Sequence, residues 1–157
     1  MARREAAKSL DRLPERDDSQ MVPRRVANGL LEVDPTWGTV QPIALVDGVR
    51  TIGELELIDH LEHGLPVIDT RLERFHREAT IPGARWIGHE EILDHVDELD
   101  QTIPTVFFCN GPQCTATPDA IRALLEYGYP PAAILYYRGG IHDWMTLGYP
   151  TEPGGVS

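Results

Sequence analysis

The sequence predicts an α/β fold, a mostly parallel sheet with helices on both faces. Two observations carry this expectation: short apolar runs alternate with stretches of helical period, and the loops joining them are short. No internal repeat appears, so one copy of one domain is expected.

The elements follow in order. Val49 to Ile52 reads as a short strand. Thr51-x-x-Glu54 has the spacing of a capping box, opening a helix through Leu55, Leu57, Ile58 and Leu61 that Gly64 ends. Pro66-Val67-Ile68-Asp69 reads as a buried strand, followed by a short helix through Leu72 and Phe75. Ile81 to Ile87 is a turn leading into another strand, and His89 to Leu99 a helix with Ile92, His95 and Val96 at helical spacing. A strand at Thr105–Cys109 and a loop at Asn110–Thr117 precede the helical pattern Pro118–Tyr127, which stops at Gly128. Ala133 to Tyr137 is the last strand, and Gly139-Gly140 leads into a helical turn through Trp144 and Leu147. The stripe Ile121, Leu124, Leu125 is the face that packs on the sheet, and Trp86 and Trp144 are expected in the core.

At 157 residues the chain fits one domain with an appendage. Residues 1–25 are rich in charge and poor in large apolar side chains, so a disordered tail is expected there. Residues 26–47 turn apolar but carry Pro35, Gly38 and Pro42, and read as an extended segment lying on the domain. Trp37 either pins that segment or marks an exposed partner site. The domain proper is expected over 48–152, with a C-terminal tail at 153–157.

The formal net charge is -11, although the first 25 residues hold seven arginines and lysines against five carboxylates. An acidic body is repelled by phosphate backbones and anionic lipid, so neither nucleic acid nor a membrane is an expected partner. No apolar run is long enough to cross a bilayer, and the N-terminus lacks the apolar core of a secretory signal. Two cysteines are too few for a disulfide scaffold, which points to a reducing cytoplasm.

Ligands of parallel sheets collect at the carboxyl ends of the strands. Asp69-Thr70-Arg71, Cys109 and Arg138-Gly139-Gly140 each end a strand on that edge. A thiol at a strand-to-helix junction sits among unpaired N–H groups at the positive end of a helix dipole, which favours thiolate. The alternative is a structural cysteine, buried and inert. Cys114 makes a C-x₄-C pair with Cys109, close enough for a disulfide, or it packs under the loop as a small apolar residue. His60, His63 and His142 lack the carboxylate or cysteine neighbours a metal would require, so no metal or other cofactor is expected.

From about Val49 to Pro150 the chain resembles a single rhodanese domain. The matching segments, in order, are Val67–Arg71, Ala79–Ala84, Val106–Cys109, Leu135–Trp144 and Gly148-Tyr149-Pro150. The resemblance implies a rhodanese-like fold and a sulfurtransferase that moves a sulfane sulfur through a persulfide on Cys109. The donor would be thiosulfate, a persulfide or a polysulfide, and the acceptor a thiol, a cyanide-like nucleophile or a protein. The amides of Asn110, Gly111, Pro112, Gln113, Cys114, Thr115, Ala116 and Thr117, Pro112 excepted, would hold the persulfide without a cofactor. Asp69 and Arg71 would brace the loop.

Two departures from the family pattern matter. The loop is about two residues longer than usual, with Thr117 in the helix-opening place. Rhodanese-like cell-cycle phosphatases use a longer loop to admit phosphate, but they need a loop arginine, and 110–117 holds neither Arg nor Lys. That absence bears on thiosulfate too; of Arg138, Arg71 and Arg122, Arg138 is the expected substitute. The second departure is Cys114, which would resolve a persulfide or sulfenic acid on Cys109 through an internal disulfide. Two other readings stay open: a non-catalytic rhodanese-like module that binds a partner through its enlarged loop, and a thiol–disulfide protein using both cysteines.

Overall fold

The computed structural model describes residues 23–32 and 39–155. Residues 1–22 of the expected tail and Trp37 lie outside the described residues.

A hairpin of β1 (Arg24–Arg25) and β2 (Leu31–Glu32) precedes the domain, the two strands joined by a 3-10 turn at Ala27–Gly29. The domain is a five-stranded sheet built from β3 (Arg50–Thr51), β4 (Val67–Asp69), β5 (Arg85–Trp86), β6 (Thr105–Phe108) and β7 (Ile134–Tyr136). The spatial order is β3-β7-β6-β4-β5 and every pairing is parallel. Helices α1 (Glu54–Glu62), α2 (Glu73–Glu78), α3 (Ala116–Tyr127) and α4 (Gly140–Thr146) complete it, with a 3-10 helix at Ile92–Glu98.

Strand alternation divides the core. Phe107, Ile134 and Tyr136 point to one face, where Ile92, Val96, Ala120, Ile121 and Leu124 cover them. Val106, Phe108, Leu135 and Tyr137 point to the other, against Leu57 of α1 and Ile141, Trp144 and Met145 of α4. Burial on both faces explains why these strands read as continuous apolar runs rather than alternating ones. The fold class expected from the sequence is the one observed.

Three local expectations differ from what is seen. The Thr51–Glu54 capping box does not form: the Thr51 hydroxyl donates to the Ile43 carbonyl, and Gly53 caps α1 with no side-chain bond. The segment expected as a helix over His89–Leu99 is a 3-10 helix at Ile92–Glu98; it is entered from a Gly88–Glu91 turn and bonded i→i+3 (Asp94 N to Glu91 O, 3.0 Å). Helix α3 begins at Ala116, two residues before the expected start; Pro118 sits inside its first turn, where a missing N–H leaves no bond unmade. It ends at Gly128, whose φ of 106° is the left-handed conformation open to glycine.

Candidate active site

β6 is the central strand, and Cys109 follows it directly. The loop from Asn110 to Thr115 then turns into α3. Its first part is held from the other side of the edge by α4: Ile141 N donates to Cys109 O at 3.0 Å and His142 N to Asn110 O at 2.8 Å. That close approach requires Gly140. Its φ is 63°, and a Cβ there would lie 2.5 Å from Cys109 O and 2.7 Å from Gly111 N. Within the loop, Cys114 N donates to Gly111 O at 3.0 Å, closing a turn around Pro112 and Gln113.

The sulfur of Cys109 points toward the start of α3. Thr117 N donates to Cys109 Sγ at 3.4 Å, and the Cys109 thiol faces Cys114 O at 3.8 Å. Cys109 is 2% exposed. Burial pushes its thiol well up, and the Cys114 side chain adds to this; the Thr117 contacts oppose it without prevailing. Burial thus favours the neutral thiol, against the thiolate that the helix terminus leads one to expect. Cys114 is 8% exposed, and the two cysteines are thiols rather than a disulfide.

Asp69 ends β4, next to β6, and is wholly buried. Its carboxylate accepts from Arg71 N (3.1 Å), Arg71 Nε (3.0 Å), Arg71 Nη2 (2.8 Å), Thr80 Oγ1 (2.9 Å) and His76 Nδ1 (3.1 Å), the last requiring the Nδ1–H form. Burial alone would raise its pKa; the Arg71 guanidinium and the hydrogen bonds from His76 and Arg71 overcome that and hold it below 3.8. Arg71 Nη2 also donates to Ala79 O at 2.6 Å, and Trp86 Nε1 to Arg71 O at 2.8 Å. Thr70, between the charged pair, carries the brace to the loop. Its hydroxyl donates to Phe108 O (3.1 Å) and meets Thr117 Oγ1 at 2.8 Å.

A cleft of about 340 Å³ opens over the loop, lined by Thr39, Arg71, Leu72, Phe75, His89, Asn110, Gln113, Cys114, Thr115 and Ala116. Arg138 is not on this lining; its Nε donates to Gln41 O at 2.8 Å, and Gln41 N donates to Pro112 O at 2.7 Å. The cation expected to replace a basic loop residue therefore ties residues 39–47 to the loop instead. Arg122 pairs with Asp119 at 4.0 Å on the solvent face of α3. Arg71 reaches the cleft, but its guanidinium is committed to Asp69.

The sequence marks neither His89 nor Thr39 as a site residue, and Thr70 only as the middle of Asp69-Thr70-Arg71. His89 lies three residues past the end of β5, on the same strand edge as the other pointed segments, and that edge is the signal that finds it. Thr70 is revealed by the register, since Asp69 pairs with Phe108 and places the next residue beside Cys109. Thr39 carries no such signal. Among the described residues no group of three or more His, Cys, Asp or Glu side chains could hold a metal ion, and no helix is long and apolar enough to cross a membrane.

The rhodanese-like domain family matches residues 54–147, more than half of the chain. The chain belongs to that family. Solved structures share the rhodanese-like fold. A thiosulfate sulfurtransferase from Pseudomonas aeruginosa aligns over 69% of this chain at 23% identity, with a TM-score of 0.57; the chain spans only 21% of that protein's length. The BH2092 protein from Bacillus halodurans aligns over 66% of this chain and 76% of its own, at 22% identity and a TM-score of 0.59. A rhodanese-related protein from Thermoplasma volcanium aligns over 66% and 97%, at 21% identity and a TM-score of 0.53. No curated protein matches the chain.

Proposed function

We propose that this rhodanese-like domain is a sulfurtransferase that carries sulfane sulfur on Cys109. The observation that carries the reading is a thiol at the end of the central strand whose sulfur receives the Thr117 amide, beside a cleft large enough for a small donor. A thiol or thiolate at Cys109 takes the outer sulfur of a donor, the donor's remainder leaves, and the N–H groups of the loop hold the resulting Cys–S–S⁻. An acceptor nucleophile, a thiol or a cyanide-like anion, then removes the outer sulfur and returns the thiol.

The lining favours a persulfide or polysulfide donor over thiosulfate. Thiosulfate is a dianion, the loop has no Lys or Arg, and Arg71 already neutralises Asp69. The same absence argues against phosphoryl transfer. A second reading, a non-catalytic module that binds a partner through the loop, is favoured by the burial and raised pKa of Cys109.

The reduced protein should be incubated separately with thiosulfate and with an uncharged organic polysulfide, then mapped by peptide mass. Sulfur transfer predicts one added sulfur on the Cys109 peptide with polysulfide and little with thiosulfate. Absence of sulfur with either, while Cys109 still alkylates readily, would leave the binding module or the thiol–disulfide protein as the reading.

A further inference from the structure

The two cysteines occupy unequal places. Cys114 is part of the cleft wall, whereas Cys109 is absent from the lining and lies beneath it. Together they form a small buried cluster with Ala116, apart from the two main cores, and the Cys109 thiol faces residue 114 at its carbonyl. From the other sides Cys109 is enclosed by the Thr117 amide and by its own strand end, which α4 holds through Cys109 O. A molecule entering the cleft meets residue 114 in its wall and does not meet Cys109.

We propose that Cys114 is a second catalytic residue, the thiol that exchanges sulfur with molecules in the cleft, and that Cys109 is the inner thiol on which the sulfur is held. This rests on the sulfurtransferase reading and divides its chemistry between two positions.

The steps balance. The Cys114 thiolate attacks the outer sulfur of a donor persulfide R–S–SH; the new bond joins that sulfur to Cys114, the donor's S–S bond breaks, and RS⁻ leaves to take up a proton. Cys109 then attacks the outer sulfur of Cys114–S–SH. The bond to Cys114 breaks, the proton of the Cys109 thiol passes to the departing Cys114 sulfur, and the products are Cys109–S–SH and Cys114–SH. No net oxidation occurs and the transfer itself brings no net charge into the interior, which suits a site without a loop cation; Cys109–S–SH ionises to the Cys–S–S⁻ held by the loop amides only after it has formed. The Thr117 amide then serves the sulfur on Cys109, while the wall of the cleft shields it from water. Unloading reverses the exchange to an acceptor thiol.

This differs from a resolving role, in which Cys114 attacks the inner sulfur of the Cys109 persulfide, releases hydrosulfide and leaves a disulfide. The test uses the full chain with an organic persulfide R–S–SH as donor, rapid alkylation and peptide mapping, on wild type, Cys109→Ser and Cys114→Ser. Thermal melts establish that each variant is folded. We expect one sulfur on Cys114 in Cys109→Ser, and loading of Cys109 slowed by at least about tenfold in Cys114→Ser. Should Cys114→Ser prove unfolded, the adduct on Cys114 in Cys109→Ser decides by itself. If folded Cys114→Ser loads Cys109 at the wild-type rate and Cys109→Ser takes no sulfur, the relay is overturned and the sulfurtransferase reading survives. An intraloop disulfide with released hydrosulfide, and no persulfide on Cys109, also overturns the relay. No sulfur on either cysteine of the wild type overturns both.

Discussion

Replacing Asp69 by asparagine should be among the most damaging single changes in the domain. The carboxylate is wholly buried and accepts donors from Arg71, His76 and Thr80. Asparagine keeps the shape, but it offers one acceptor oxygen and presents an NH₂ to groups that are themselves donors. Arg71, with its side chain 1% exposed, would be left charged with no anion beside it, keeping the Ala79 carbonyl and at most one amide oxygen as acceptors. Removing one partner of a buried pair costs about 3–5 kcal/mol, a large share of the roughly 5–15 kcal/mol that stabilises a domain. With a urea slope of about 2 kcal/mol/M, the unfolding midpoint should fall by about 2 M. Adding Arg71→Met should recover more than half of the loss, because the uncompensated charge goes with it. The pH dependence carries a matching sign. A carboxyl whose folded pKa lies below its unfolded value contributes fully above the unfolded value and loses that contribution as pH falls toward the folded one. Wild-type stability should therefore drop below about pH 4, and the part due to residue 69 should be missing from the variant. A midpoint shift under about 0.5 M at unchanged slope would refute the account of the pair.

Two further changes test other parts of the site. Gly140→Ala places a Cβ against Cys109 O in a left-handed conformation, so it should destabilise by roughly 2–5 kcal/mol and reduce sulfur loading of Cys109 in the protein that remains folded; unchanged loading and melting would show that the loop has room to give. Tyr136 is buried with its hydroxyl unpaired among the described residues, and burial, with Cys109 second, raises its pKa. Tyr136→Phe should therefore leave stability unchanged or raise it by about 1 kcal/mol in thermal melts, and a loss of 1 kcal/mol or more would mean the hydroxyl has a partner.

Much of the domain was legible in the residues because burial leaves a local mark. Val67–Asp69, Thr105–Phe108 and Ile134–Tyr136 are covered on both faces, and their unbroken apolar runs say so. Ile121, Leu124 and Leu125 stand at helical spacing because one face of α3 meets the sheet, where Ile121 and Leu124 are buried and Leu125 partly so. The Thr51–Glu54 spacing misled because a capping box is local chemistry open to competition: the Ile43 carbonyl, eight residues away, took the hydroxyl instead. The segment around Ile92 has helical spacing either way, since its two buried side chains suit a 3-10 helix as well as an α-helix.

By itself the sequence determined the order of strands and helices, and with it the parallel sheet. It also determined that Asp69, Cys109 and Arg138 end strands on one edge, since chain direction alone puts them there. Only the tertiary structure decided how those groups divide the work. Arg138 reads as the cation that serves the cleft until packing commits it to the Gln41 carbonyl, whereas the bracing expected of Arg71 is seen in its pairing with Asp69. Cys109 reads as the nucleophile and Cys114 as a resolving or packing residue, yet only the fold leaves Cys109 off the cleft lining and sets Cys114 in its wall. The reason is physical: charge state and access depend on what surrounds a side chain in three dimensions, and those neighbours come from β4, α3 and α4, which lie far apart along the chain.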